Sequence, residues 1–249
     1  MRLLRPFITL LGFLAIWEAI AKFSGIQPFL LPSPFAVIHE IFIQRAFLAC
    51  NLWITLTEIF LGLIFGTLFG ALMALTMVFS KSLQRWLLPL LILSQAIPVF
   101  ALAPLLVLWL GFGLASKVLL ALLIIFFPVT VALYDGLRQT DPGFLDLAKT
   151  MGASRLSILL NVRLMSALPT FGAGLRIAAV IAPIGAVLGE WAGASAGLGY
   201  VMINANAQMK TSLMFAALVL LSGVTILLWL GINFLLKKLL YWMPDHGLG

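Results

Sequence analysis

Long apolar runs separated by brief polar interruptions dominate the chain. They cover residues 6–23, 53–79, 86–110, 117–134, 168–190 and 213–236. Each is close to the roughly 20 residues a helix needs to cross a hydrocarbon core about 30 Å thick. The pattern predicts an all-α integral membrane protein with six transmembrane helices. The interruptions carry their own signals. Residues 27–34 (QPFLLPSP) read as a proline-rich turn. Ser33 and Pro34 then open an amphipathic helix through Val37, Ile38, Ile41, Phe42 and Arg45. His39, Glu40 and Gln44 break its apolar face, so it is expected along the outer surface rather than across the membrane. Residues 81–85 form a short basic loop, 111–116 a turn, and 191–210 a Gly- and Ala-rich loop or re-entrant segment.

Within the spans, small residues and prolines stand out. Gly62, Gly66 and Gly70 recur every four residues in the second span, a ridge along which helices approach closely. Pro89, Pro98 and Pro104 fall in the third. They read either as a broken helix lining a path, with water or neighbours meeting the freed carbonyls, or as static kinks. Glu58, near the outer end of the second span, reads as interfacial and receives no role.

The segment 141–169 (DPGFLDLAKTMGASRLSILLNVRLMSALP) is the longest without a membrane-length apolar run. Asp141 and Pro142 form an N-cap and first-turn pair. Phe144, Leu145, Ala148 and Met151 then recur at helical spacing. Gly152 falls where a left-handed residue would end that helix. Ser154 caps a second helix carrying Leu156, Leu159, Leu160 and Arg163. Pro169, preceded by Ser166, is expected to open the next span. A short helix, a glycine corner and a second helix therefore lie between two spans.

Composition agrees. The 249 residues are 63% hydrophobic and 9% charged, with mean hydropathy +1.17, against about 25% charged in a soluble domain. The net charge of +7 reflects topology rather than nucleic acid. Arg2, Arg5, Lys81, Arg85, Arg138, Lys149, Arg155, Arg163, Lys237 and Lys238 fall on one side of a six-span arrangement. Only Lys22, Arg45, Lys117 and Lys210 fall on the other, with Arg176 inside a span. The positive-inside rule puts both termini and the 141–169 loop in the cytoplasm. Arg2 and Arg5 before an apolar run, with Ala19-Ile20-Ala21 after it, also suit a signal peptide. Trp17 and Glu18 at the would-be cleavage region argue for a retained first helix. Cys50 is the single cysteine, so no internal disulfide forms.

Candidate chemistry is sparse. No G-x-x-x-x-G-K-[ST] phosphate cradle exists, and Gly172 and Gly174 do not complete a dinucleotide fingerprint. His39 and His246 supply no metal cluster. The chain reads as no enzyme and as holding no cofactor of its own. A passive channel or membrane anchor remains as the different-class alternative. Arg176, about two turns into the fifth span, either lines a path or snorkels to the cytoplasmic surface. Glu190, at the outer end of that span, either gates the path or hydrogen-bonds the re-entrant backbone. Pro98, Trp109 and Trp191 complete the candidate path. Trp109, Phe126, Phe127, Trp191 and Tyr200 are candidates for stacking on a flat heterocycle.

The 141–169 segment resembles the cytoplasmic EAA loop of bacterial ABC importer permeases, E-A-A-x3-G-x9-I-x-L-P. Asp146-Leu147-Ala148 stands at its first three positions, Gly152 at its glycine, and Val162 and Leu164 at its Ile and Leu. Met165 replaces the Pro, and Leu168-Pro169 follows four residues later. Leu31-Pro32-Ser33-Pro34 and Gly197-Leu198-Gly199-Tyr200 are similar to the nitrate/sulfonate/taurine-type branch. Residues 189–202 (GEWAGASAGLGYVM) are similar to permeases for pyrimidine precursors of thiamine. The resemblance implies a type I ABC importer permease fold in one domain, 1–249, with a coupling loop at about 138–166. It implies a homodimer in the bacterial cytoplasmic (inner) membrane, with two ATPase subunits that bind ATP and Mg and an extracytoplasmic solute-binding protein. Phe144, Asp146, Leu147, Ala148 and Gly152 would couple to the ATPase. The solute would be a thiamine pyrimidine precursor or, alternatively, a sulfonate, nitrate or related small molecule.

Overall fold

A computed structural model describes residues 4–242, which fold as helices joined by short turns, with no strand among them. Arg2 and His246 lie outside the described residues. The helices are α1 (Leu4–Phe23), α2 (Pro34–Ile43), α3 (Arg45–Phe79), α4 (Lys81–Ala96), α5 (Val99–Leu110), α6 (Leu114–Arg138), α7 (Pro142–Thr150), α8 (Arg155–Ile158), α9 (Leu164–Trp191), α10 (Leu198–Ala207) and α11 (Thr211–Leu239). A single turn of π-helix, Leu159–Arg163, joins α8 to α9. Four helical stretches are long and apolar enough to cross a membrane: Arg45–Phe79, Leu114–Arg138, Arg155–Trp191 and Thr211–Leu239. The pair α4 and α5 makes a fifth span if counted as one. At 20 residues α1 has the length of a sixth.

Three helices form the centre. α6 lies between α3 and α9, and its Ala121 is small enough to meet both. The glycine ridge on α3 does what its spacing predicts. A Cβ at Gly66 would sit 2.8 Å from Ile125, and one at Gly70 would sit 2.7 Å from the Phe126 carbonyl oxygen. On the far side, a Cβ at Gly185 of α9 would lie 2.8 Å from Ala121 Cα. Ile59, Ile125, Val129, Ala178, Ala182 and Ala186 fill the space between. The outward faces remain apolar, as a lipid solvent requires: Ile64, Leu68 and Leu72 on α3, and Ile226, Leu227 and Phe234 on α11, are exposed.

Several boundaries differ from the sequence expectation, each for a local reason. α3 begins at Arg45 rather than 53, because Gln44 ends α2 and starts α3 without a loop. Polar Asn51 is tolerated there since its amide is spent, Nδ2 donating to Phe47 O at 2.8 Å and Oδ1 accepting from Gly197 N at 2.8 Å. The basic stretch 81–85 is the first turn of α4, capped by Ser80 Oγ accepting from Leu83 N, rather than a loop. The third span is broken: α4 and α5 meet at 97°. Pro98 lacks an N–H and drives Ile97 to extended backbone (φ −82°, ψ 122°), so the helix stops there. Pro89 and Pro104 stay inside helices. Pro169 opens nothing. α8, the π turn and α9 run on as one stretch, Arg155–Trp191, and Pro169 lies inside it. The segment 191–210 contains helix α10, packed among α3, α9 and α11. Ser33 caps α2 as expected, accepting from Ala36 N at 3.2 Å.

Candidate functional site

At one end of the bundle the chain builds a helical corner from local rules. Asp141 Oδ1 accepts from Gly143 N at 2.7 Å and starts α7 with Pro142 in its first turn. The helix ends in a Schellman motif. Ala153 N donates to Ala148 O at 3.0 Å and Gly152 N to Lys149 O at 2.9 Å. This closure holds Gly152 at φ +76°, with open space where a Cβ would stand. Ser154 then caps α8, accepting from Ser157 N at 3.2 Å. Phe144, Leu147 and Met151 are 61%, 59% and 78% exposed. With Ala148 they form one wall of a groove whose other wall is Val162 and Met165. A row of large apolar side chains on a short exposed helix is a docking surface in shape and chemistry. Asp146 pairs with Lys149 at 2.8 Å along the same helix, and both side chains are exposed. Such a pair contributes little and can be exchanged for a partner's cation.

At the opposite end the spans are tied by buried polar groups. Lys117 Nζ on α6 donates to Glu58 Oε1 on α3 at 2.7 Å, with both side chains buried. Glu190, only 1% exposed, accepts from Thr55 Oγ1 at 2.6 Å. It also accepts from the Gly199 and Tyr200 amides at the start of α10. Leu198 N donates to Thr55 Oγ1 at 2.8 Å. A carboxylate against a helix N-terminus is favourable, because the first N–H groups lack intrahelical partners. Of the two roles read for Glu190, the geometry matches the hydrogen bonding of the re-entrant backbone. Glu58 and Lys117 were the omission. Glu58 is not interfacial but buried against Lys117. Opposite charges near the same ends of two spans were the available signal.

The remaining candidates are dispersed. Pro98 makes the α4–α5 break, Trp109 is 70% exposed near the end of α5, and Trp191 is 48% exposed at the end of α9. Arg176 is half-buried along α9, with a buried Nε that has no hydrogen-bond partner. The five aromatic candidates do not gather into one box. Phe126 is buried against Phe69, ring centroids 5.6 Å apart, and Tyr200 packs near α2 and α11.

The geometry defines a multi-span membrane bundle with an exposed apolar helical corner at one end. Residues 66–240 match the family described as binding-protein-dependent transport system inner membrane component, and the chain belongs to that family. It is therefore a membrane-spanning permease subunit of an ABC importer, not a catalytic chain. It is 51% identical to a probable ABC transporter permease protein of Haemophilus influenzae, over 96% of this chain and 98% of the other. It is 40% identical to the formylaminopyrimidine transport permease protein ThiX of Halalkalibacterium halodurans, over 96% of each. It is 32% identical to the taurine transport system permease protein TauC of Escherichia coli K12, over 96% and 88%. Among solved structures, an inward-facing MetNI methionine ABC transporter chain superposes with a TM-score of 0.69 at 19% identity. That match covers 78% of this chain and 97% of the other, and it places the fold among type I importer permeases.

The buried pair yields a double-mutant prediction. Removing one partner leaves the other charge uncompensated, at about 3–5 kcal/mol, whereas an apolar pair of similar volume is close to neutral. Lys117→Met and Glu58→Met should each lower the melting temperature in detergent sharply. The double variant should recover most of the loss. Additive losses would mean that the two charges do not stabilise each other.

Proposed function

We propose that this chain is the homodimeric permease of an importer for a pyrimidine precursor of thiamine, and that α7 docks on an ATPase subunit. The observation that carries the solute class is the 40% identity, end to end, with a permease named for formylaminopyrimidine. Residues 189–202, which include Glu190 and the start of α10, are the stretch that resembled this branch in the sequence. A second reading, a sulfonate, is favoured by the taurine permease relative at lower identity.

In this reading residues 1–249 act as one permease domain, with a coupling loop at about 138–166. The loop and both chain ends face the cytoplasm of a bacterium, and a solute-binding protein delivers from the other side. ATP and Mg bind the partner ATPase. Each ATPase copy receives one α7, whose Phe144, Leu147 and Ala148 enter a groove, while Asp146 exchanges Lys149 for a cation of the ATPase. ATP closes the ATPase pair and thereby favours one access state. It does so only through differential affinity for the two states. Pro98, Trp109, Arg176 and Trp191 border the path, and Glu190 sets the α10 segment beside it.

Two outcomes test this. Cells that cannot make the thiamine pyrimidine, and that lack other importers for it, should stop growing on external formylaminopyrimidine when this permease is deleted. Unimpaired growth removes the solute assignment and leaves the permease assignment intact. For coupling, the Cβ added by Gly152→Val meets no neighbour, so the first effect expected is the left-handed backbone penalty of roughly 1–2 kcal/mol. That is negligible for insertion but about tenfold in a docking equilibrium. Gly152→Val and Phe144→Ala should insert normally yet retain several-fold less ATPase on purification, while Asp146→Glu should be mild. Full ATPase retention by both variants would remove α7 as the coupling element.

A further inference from the structure

The side of α7 turned from its exposed apolar row helps to close a second cavity. About 260 Å³ lies among α7, the end of α3 and the α8–α9 stretch, with Phe79, Leu145 and Leu159 in its wall beside Lys149, Arg155 and Arg163. Lys149 is already paired with Asp146. Arg155 and Arg163 have no carboxylate partner among the described residues, and Arg163 Nε is buried with no hydrogen-bond acceptor. Two positive charges are thus unbalanced, and a buried donor lacks its acceptor, an arrangement that costs stability until an acceptor arrives. Phe79 is the last residue of α3, so the cavity sits where a span leaves the apolar core. A 35-residue span exceeds the hydrocarbon thickness of about 30 Å, so its end lies toward the lipid headgroups.

The mixed wall narrows the ligand. Guanidinium groups match phosphate oxygens in charge and geometry. A free phosphate would satisfy them but leave the exposed Phe79 and the half-buried Leu145 facing water. An acidic side chain of a protein partner would do the same. A phosphate carrying acyl chains satisfies both halves. We propose that this cavity binds the headgroup of an anionic phospholipid, with Arg155 and Arg163 holding the phosphate and Lys149 adding charge. The site is separate from the solute and from the apolar docking row, so its test does not depend on either.

The probe is phosphatidylglycerol, as a minor component of phosphatidylcholine nanodiscs holding the full-length permease. Retained lipid is identified by native mass spectrometry. Phosphatidylglycerol should be retained in preference to phosphatidylcholine and resist displacement by excess inorganic phosphate. Each lost cation should weaken it about fivefold, so Arg155→Gln with Arg163→Gln should weaken it roughly 25-fold. The paired Lys substitutions should retain part of the affinity. Lys210→Gln, which removes one charge at the other end of the bundle, should change nothing. Unchanged retention in the double Gln variant overturns the proposal. Complete displacement by inorganic phosphate assigns the cavity to a free anion and overturns it too. Unchanged lipid with lost ATPase binding assigns the cations to a protein partner instead. If the double Gln variant does not fold, photoactivatable phosphatidylglycerol on the unaltered protein decides. Labelling within residues 145–163 supports the site, and labelling confined elsewhere rejects it.

Discussion

The carboxylate of Glu190 imposes the strictest condition on this fold. Buried among apolar helices, it has to be met by donors, and they come from two directions. Thr55 supplies one from α3, and the first turn of α10 supplies backbone amides. α10 can reach it only because the approaching chain is bare. Gly197 lies at φ +116° against the carboxylate, and a Cβ on Gly199 would fall 2.8 Å from Oε2. Asn51 takes the Gly197 amide, and the Glu58–Lys117 pair ties α3 to α6 beside the same network. One set of polar contacts thus fixes four helices at the end of the bundle remote from α7. Glu58 Oε2 is buried there without a hydrogen-bond partner, while every other contact named above is made, and disrupting any of them leaves a further buried group unpaired.

The helical corner and that network are joined by one element. Glu190 closes a stretch that begins at Arg155, directly after the corner, and runs through the π turn as one rod. Its 37 residues span about 55 Å at 1.5 Å per residue. If α7 docks as proposed, its displacement reaches the far network along a single helical stretch rather than through a relay of side chains. The α4–α5 arm differs. It is bent by 97° at Ile97–Pro98, and it exposes Ile92, Leu93, Phe100, Leu108 and Trp109. It is the segment best placed to change position while the α3–α6–α9 core stays whole.

Much of this was legible where a local rule decides. Asp141-Pro142, Gly152 and Ser154 each act through the nearest backbone amides, and each occupies the position its chemistry dictates. The glycine ridge was legible because its spacing alone places Gly62, Gly66 and Gly70 on one face. What failed to show depends on partners far along the chain. The second span starts earlier than its apolar run because Asn51 accepts from Gly197, 146 residues away, a contact not visible in sequence. Glu58 reads as interfacial for the same reason, being tolerable in a span only with Lys117. Pro169 misled in the opposite sense, since a proline inside a helix and a proline opening one carry the same local signature. The split of the third span at Pro98, rather than at Pro89 or Pro104, likewise needed the packing around it.

The stretch from the corner to the Glu190 network is expected to move as one body. Spin labels at Leu160 and Ile203, both exposed, in a Cys50→Ala background, report the distance from the start of that stretch to α10. Pulsed electron resonance on the reconstituted complex should give the same distance without nucleotide and with ATP trapped, in a preparation that transports. A resolved change between the two states would show that the rod or its tie to α10 deforms, and would contradict the account.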